Sequence, residues 1–154
     1  RPLHGTVINM HIEIREAPFD PWRELARYQQ DTLNAAGKYG ATAVFVGSMR
    51  DFNEGEQVTA MTLEHYPTMT EKHLREIANQ ARVRWDIIDV LILHRVGEIR
   101  PNDPIVLVAV WSAHRAAAYD ANRFIMEDLK SKAPFWKKET LKKGSRWVER
   151  NTLG

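Results

Sequence analysis

Cysteine is absent from this 154-residue chain. That excludes disulfides, thiolate metal ligands and a cysteine nucleophile. No run of about 18 apolar residues occurs, so no membrane-spanning helix is expected. The eight glycines form no phosphate-binding loop and no dinucleotide fingerprint. No Gly-x-Ser-x-Gly elbow is present. No His/Asp/Glu set has a metal-ligand spacing, so neither a metal nor a cofactor is expected. The opening residues, RPLHGTVINMH, lack the apolar core of a signal peptide. A cytoplasmic location is the expectation.

What remains is an ordinary globular composition, 44% hydrophobic and 27% charged. It fits one domain over 1–154 with room for a small β subdomain. The net charge of +2 conceals an asymmetry. Residues 130–150 hold eight Lys or Arg against Glu139 and Glu149 alone, while the rest of the chain is acidic. A cationic segment on an acidic chain suits an anionic ligand or partner, and equally a solvated basic surface.

The elements follow one another with short breaks. Thr6–Ile14 alternates as a strand. Asp20-Pro21 is an N-cap with proline at the first helical position, opening a helix to about Ala36. Ala41–Met49 and Val58–Tyr66 read as a hairpin around a polar loop at 51–57. Thr68 and Glu71 have capping-box spacing, starting a helix to Trp85. Ile87–His94 and Pro104–Trp111 are apolar strands flanking a turn at Arg100–Asp103. A third helix runs from His114 to Lys132, with Ser112 as cap and Ala118, Ala121, Ile125 and Leu129 on one face. Pro134 ends it. Phe135–Leu141 and Ser145–Val148 form a closing hairpin. The order β-α-β-β-α-β-β-α-β-β indicates an α+β fold with a mixed or antiparallel sheet.

Several residues invite a functional reading. Arg50 ends a strand before a loop, where a guanidinium fork suits a phosphate or a terminal carboxylate. Ser48 and Met49 precede it and offer backbone contacts. His114 and Arg115 stand at a helix start, where free N–H groups already favour an anion. Lys130 lies near a helix end, and on spacing alone it reads as a surface lysine that suits the dipole. On a strand over 135–141, Phe135, Lys137 and Glu139 share one face while Trp136 and Lys138 share the other. Lys138 and Arg150 belong to the same cationic segment and join the candidates for substrate binding.

An ordered set of segments resembles the molybdopterin synthase large-subunit family. It comprises Gly47-Ser48-Met49-Arg50, Leu63-Glu64-His65-Tyr66-Pro67 with Met69-Thr70-Glu71, and His94-Arg95-Val96-Gly97-Glu98. It continues through Ser112-Ala113-His114-Arg115, Phe124-Ile125-Met126 to Leu129-Lys130, and Ala133-Pro134-Phe135-Trp136-Lys137-Lys138-Glu139. The first forty residues match only loosely. The resemblance implies an α/β hammerhead-like fold and a homodimer. Each chain would bind a small ubiquitin-like sulfur-carrier subunit with a C-terminal Gly-Gly thiocarboxylate, making a heterotetramer. The implied substrate is cyclic pyranopterin monophosphate, which receives two sulfurs in molybdenum cofactor biosynthesis. The resemblance makes Lys130 and Lys137 catalytic and Glu139 an orienting neighbour of Lys137. Because the sulfur arrives on the partner, the absence of cysteine is no obstacle. The rival readings are a basic nucleic-acid-binding module and a non-catalytic scaffold that docks a ubiquitin-like tail; no nucleic acid and no membrane are expected as partners.

Helix length adds a constraint. Residues 115 and 130 on one helix lie about 22 Å apart, too far to grip one small pterin together. A composite site follows, with Arg50, Lys130 and Lys137 from one chain and His114 and Arg115 from the other.

Overall fold

The computed structural model describes residues 10–53, 55–141 and 144–148. Two sheets share the work. The first, four-stranded, has the order β1-β5-β7-β2, built from β1 (Met10–Arg15), β5 (Asp89–Arg95), β7 (Pro104–Ser112) and β2 (Ala41–Ser48). Only β1 and β5 run parallel; the other neighbours are antiparallel. The second, five-stranded, has the order β3-β4-β8-β9, with β6 (Gly97–Ile99) also on β4. Its strands are β3 (Phe52–Asn53), β4 (Glu56–His65), β8 (Phe135–Leu141) and β9 (Gly144–Trp147). The helices are α1 (Pro21–Asp31), α2 (Pro67–Arg84) and α3 (Arg115–Ser131). The fold is α+β with one mixed and one antiparallel sheet, as expected. All ten anticipated elements form, and the short strands β3 and β6 are additional. No helix among the described residues is long and apolar enough to cross a membrane.

The central strands explain the layering. β7 is apolar at almost every position and β5 across Val90–Leu93, and both strands are buried on both faces. Alternation along β5 sends Val90 and Ile92 toward α2 and α3, where Leu74, Ala78, Ala121 and Ile125 meet them. It sends Leu91 and Leu93 the other way, to Phe19, Tyr28 and Trp111 beside α1. Full burial of an Ile or Leu side chain contributes about 1.5–3 kcal/mol, so the two-sided strands anchor both layers.

The expected hairpin of β2 with β4 does not form. β7, buried from Val106 to Ser112, requires a neighbour on each edge; β5 takes one, and β2 takes the other from Ala41↔Ser112 to Ser48↔Pro104. The chain then leaves this sheet after Ser48. β4 instead pairs with β3, turning through Gly55 at a positive φ of 78°. It pairs along its other edge with β8.

Three helix boundaries also differ. α1 stops at Asp31, five residues early, because Leu33 and Ala35 turn inward to the core. α2 has Tyr66 at its N-cap and Pro67 at its first helical position, so Thr68 and Glu71 form no capping box. Thr70 supplies the return contact: its hydroxyl accepts from Tyr66 N at 3.2 Å and donates to Pro134 O at 2.9 Å. This ties the start of α2 to the entry of β8. At α3 the cap position belongs to His114. Ser112 Oγ accepts from His114 N and donates to Asp86 O, supporting the turn from one residue further back. The face of α3 predicted to be apolar is buried at Ala118, Ala121, Ile125 and Leu129.

A polar knot lies under α1. Tyr28 donates its hydroxyl to Asp89 Oδ1 at 2.9 Å, and Val90 N donates to the same oxygen at 2.7 Å. Burial raises the Asp89 carboxyl above the usual range, against these hydrogen bonds and the nearby Arg82 charge. A buried carboxylate stripped of a donor is costly. Tyr28→Phe should therefore lower unfolding stability by about 1–3 kcal/mol, measured by urea denaturation, without altering the native circular dichroism. An unchanged midpoint would mean that the hydroxyl contributes nothing to the fold.

Candidate active site

Four chain segments converge where the two sheets meet. The first is the last turn of α3, which carries Lys130. Its depth is set by Ile125 and Leu129 in the core and by Asn122. The buried Asn122 amide donates to Ala43 O and to Val108 O, both at 3.0 Å, pinning α3 across β2 and β7. The second segment is β8. It starts soon after α3 and faces Phe135, Lys137 and Glu139 inward, with Trp136 and Lys138 exposed. The predicted face division holds.

The third segment is the end of β2. Met49 N donates to Asp103 O at 2.9 Å, and Asn102 N donates to Met49 O at 2.8 Å. These bonds clamp Met49 to the tight turn before β7, where Asn102 adopts a positive φ of 74°. Arg50 is thereby held at the rim, exposed. The fourth is β3 with β9. Asn53 Nδ2 donates to Glu139 Oε2 at 2.9 Å, and Arg146 donates to Glu139 Oε1 at 3.0 Å. Arg146 also donates to Asn53 O at 2.9 Å. Glu139 is only 6% exposed, so these bonds are shielded from water and tie three strands together.

Two adjoining chambers result. The outer, about 80 Å³, is lined by Ser48, Met49, Arg50, Asn53, Lys130, Lys137 and Glu139, with Met61, Ile105 and Val148. The inner, about 120 Å³, has Leu63, Met126, Leu129 and Phe135 around His94. Lys130, Lys137 and Ile105 line both chambers. The lysines therefore form the partition.

Their electrostatics follow from that position. Burial lowers the Lys130 ammonium below the ordinary lysine range, and the Arg50 charge adds to the effect. Burial brings Lys137 down to about 8, with the Lys130 charge acting the same way and Glu139 opposing. Glu139 thus acts on Lys137 through its charge while its oxygens are held by Asn53 and Arg146. An amine near 8 exchanges protons readily at neutral pH, and as ammonium it stabilises negative charge in a site of low polarity.

Ser48, Met49, Arg50, Lys130, Lys137 and Glu139 are therefore brought together. His114 and Arg115 are not: they are exposed at the far end of α3, which is helical without interruption from Arg115 to Ser131. Lys138 departs from its expected place at the substrate. It lies on the opposite face of β8, its ammonium 5.7 Å from the centre of the Trp147 ring. Strand alternation is the reason. Arg150 lies outside the described residues. Sequence reasoning missed Asn53, Arg146 and His94. The first two reach Glu139 only across strands far apart in the chain, a juxtaposition that no local pattern signals. His94 shares the face of Val90 and Ile92 on β5 by alternation, but only the meeting of the sheets sets the two lysines beside its chamber.

The fold has solved counterparts. The molybdopterin biosynthesis MoaE protein from Burkholderia ambifaria is 44% identical with a TM-score of 0.73, covering 96% of this chain and 93% of that one. Molybdopterin synthase from Staphylococcus aureus is 34% identical with a TM-score of 0.78, covering 90% and 96%. Both belong to one class, proteins that build molybdopterin. The MoaE protein family matches residues 14–132. A molybdopterin synthase catalytic subunit from Haemophilus influenzae is 54% identical over 141 residues, 92% of this chain and 91% of that protein. The chain belongs to the MoaE family.

The His94 ring provides a check on the inner chamber. Burial, with the charges of Lys130, Lys137 and His65, brings it down to about 4 from its ordinary 6.5. Between those values only the unfolded chain binds this proton. The linked stability is full above pH 6.5 and is lost as the pH falls toward 4. Urea midpoints should decline across that window, and the decline should be smaller in His94→Gln, which cannot titrate. Equal slopes in both proteins would show that His94 is not buried neutral.

Proposed function

We propose that this chain is the catalytic half of a molybdopterin synthase acting in the cytoplasm. It receives the thiocarboxylated Gly-Gly tail of a small ubiquitin-like carrier and transfers the sulfur to cyclic pyranopterin monophosphate. The observation that carries this reading is the lysine partition: two half-buried amines at the junction of an outer chamber rimmed by Arg50 and an inner one around His94. The family relationship supplies the substrate and partner. A nucleic-acid module would display its lysines to a phosphate backbone, whereas Lys130 and Lys137 are drawn inward. A scaffold that only docks a tail has no use for depressed amines.

In this reading Arg50 takes an anionic group of the substrate or of the carrier tail at the rim. The carrier's sulfur attacks an oxygen-bearing side-chain carbon of the pterin as the C–O bond at that carbon breaks, and the departing oxygen takes a proton from Lys130. Lys130 moves protons, and the Lys137 ammonium offsets the negative charge that develops. Water then cleaves the bond to the carrier and releases its ordinary carboxylate. A second loaded carrier repeats the transfer. His114 and Arg115 reach the substrate from the second chain of a homodimer, because within one chain α3 holds them a helix length away.

Lys130→Ala should abolish sulfur transfer while leaving folding and carrier binding nearly intact, read as the mass of the pterin product. Retention of more than about a tenth of wild-type turnover, a loss under about 1.4 kcal/mol, removes Lys130 from the catalytic role.

Lys137 gives a pH signature. Its ammonium is present below about 8 and lost above. The transfer rate should therefore fall as the pH rises through 8, and Lys137→Arg should move that fall to higher pH. A rate that climbs through 8 would make Lys137 a base instead.

The shared site predicts complementation. Lys130→Ala and Arg115→Ala chains, each weak alone, should recover roughly a quarter of wild-type activity when reassociated, because about half of the dimers then carry one intact site. No recovery in verified heterodimers would mean that each chain completes its own site.

A further inference from the structure

His94 faces the inner chamber with only one polar atom to offer. Its Nδ1 lies 2.8 Å from Arg95 O. A carbonyl only accepts, so Nδ1 carries the hydrogen and the neutral ring keeps its lone pair on Nε2. Phe135 stacks on one face, ring centres 4.0 Å apart and planes 14° from parallel. The ring is 7% exposed, held on β5 between Ile14 of β1 and Val106 of β7. Its orientation is thus fixed on three sides. The charged or titratable groups acting on it come from three other elements: Lys130 of α3, Lys137 of β8 and His65 of β4. Lys130, Lys137 and His94 line one chamber of about 120 Å³, large enough to seat water between ring and ammonium at about 30 Å³ each.

The partition needs such a group. On the outer side the lysines have Glu139 and the rim. On the inner side Leu63, Leu129 and Phe135 offer an ammonium no side-chain acceptor. We propose that His94 is a positioning residue for the lysine pair, a locked neutral imidazole whose Nε2 lone pair receives the ammonium groups across the inner chamber and keeps them charged and aimed at the substrate. A carboxylate there would hold the proton too tightly for exchange, and a hydrocarbon would expel it. A neutral acceptor stabilises the charge without neutralising it. The assignment rests on the reading of Lys130 and Lys137 as the sulfur-transfer groups.

The test follows the lysines directly. In the full chain labelled with ¹³C at lysine Cε, the Lys137 resonance, identified by its loss in Lys137→Arg, is titrated by NMR. His94→Leu removes the acceptor, and the Lys137 midpoint should drop by about one pH unit, cutting the charged share at the wild-type midpoint from half to about a tenth. His94→Gln can donate to Arg95 O and still present an oxygen, so it should restore most of the wild-type midpoint. The pH profile of transfer should move with the NMR midpoint in both variants. A folded His94→Leu that titrates like wild type overturns the proposal, as does a His94→Gln that shifts as far as the leucine variant. If His94→Leu does not fold, ¹⁵N imidazole shifts in the wild-type chain decide: the neutral Nδ1–H tautomer from pH 6 to pH 9 upholds the assignment, and the Nε2–H tautomer or an imidazolium sinks it. The titration needs neither carrier nor pterin. A shift without any sulfur transfer would overturn the proposed function and leave the link between His94 and Lys137 standing.

Discussion

Two like charges half-buried side by side are unfavourable unless the surroundings hold them there. Lys130 and Lys137 oppose one another across the seam of the two sheets, each drawn down by burial. The rest of the structure can be understood as what keeps them in place. Asn122 and the apolar face of α3 prevent Lys130 from swinging outward with the helix. The pairing of β8 with β4, from Leu63↔Lys137 through Met61↔Glu139, prevents Lys137 from turning to solvent without flipping every residue of its strand. Thr70 links α2 to Pro134, fixing where β8 begins.

The opposing charges are distributed with the same economy. Glu139 stands near Lys137 but is engaged by Asn53 and Arg146, so it does not quench the amine with a direct ion pair. Arg50 at the rim adds positive charge rather than relieving it. The result is an anion-receptive mouth over amines whose protonation is easily changed. That combination suits a reaction in which negative charge enters with the reactants and protons must move. Stability is sacrificed locally, and the two-sided burial of β5 and β7 supplies it elsewhere.

Much of this was legible in the residues. Apolar alternation marked the central strands, and the 3.6-residue period marked the buried face of α3. Alternation alone separates Lys137 and Glu139 from Lys138. The resemblance placed Lys130 among the functional groups where local reasoning saw a surface lysine. Strand partnership was not legible. β2 and β4 look like neighbours because they are consecutive, yet β7 claims β2, since a strand buried on both faces leaves no edge unpaired. The cap of α2 was misplaced for a similar reason: Thr70 answers to Pro134, a residue from another part of the chain.

By itself, then, the sequence determined what depends on near neighbours: which segments are strands or helices, which face of each is apolar, and that no cysteine takes part in the chemistry. Those properties arise from backbone geometry and side-chain polarity over a few residues. Tertiary structure alone decided how deep the lysines sit, that Glu139 is shared with Asn53 and Arg146, and that His94 closes the chamber behind them. These depend on contacts between segments remote in the chain, where the energy of a charge is set by whatever the fold brings against it.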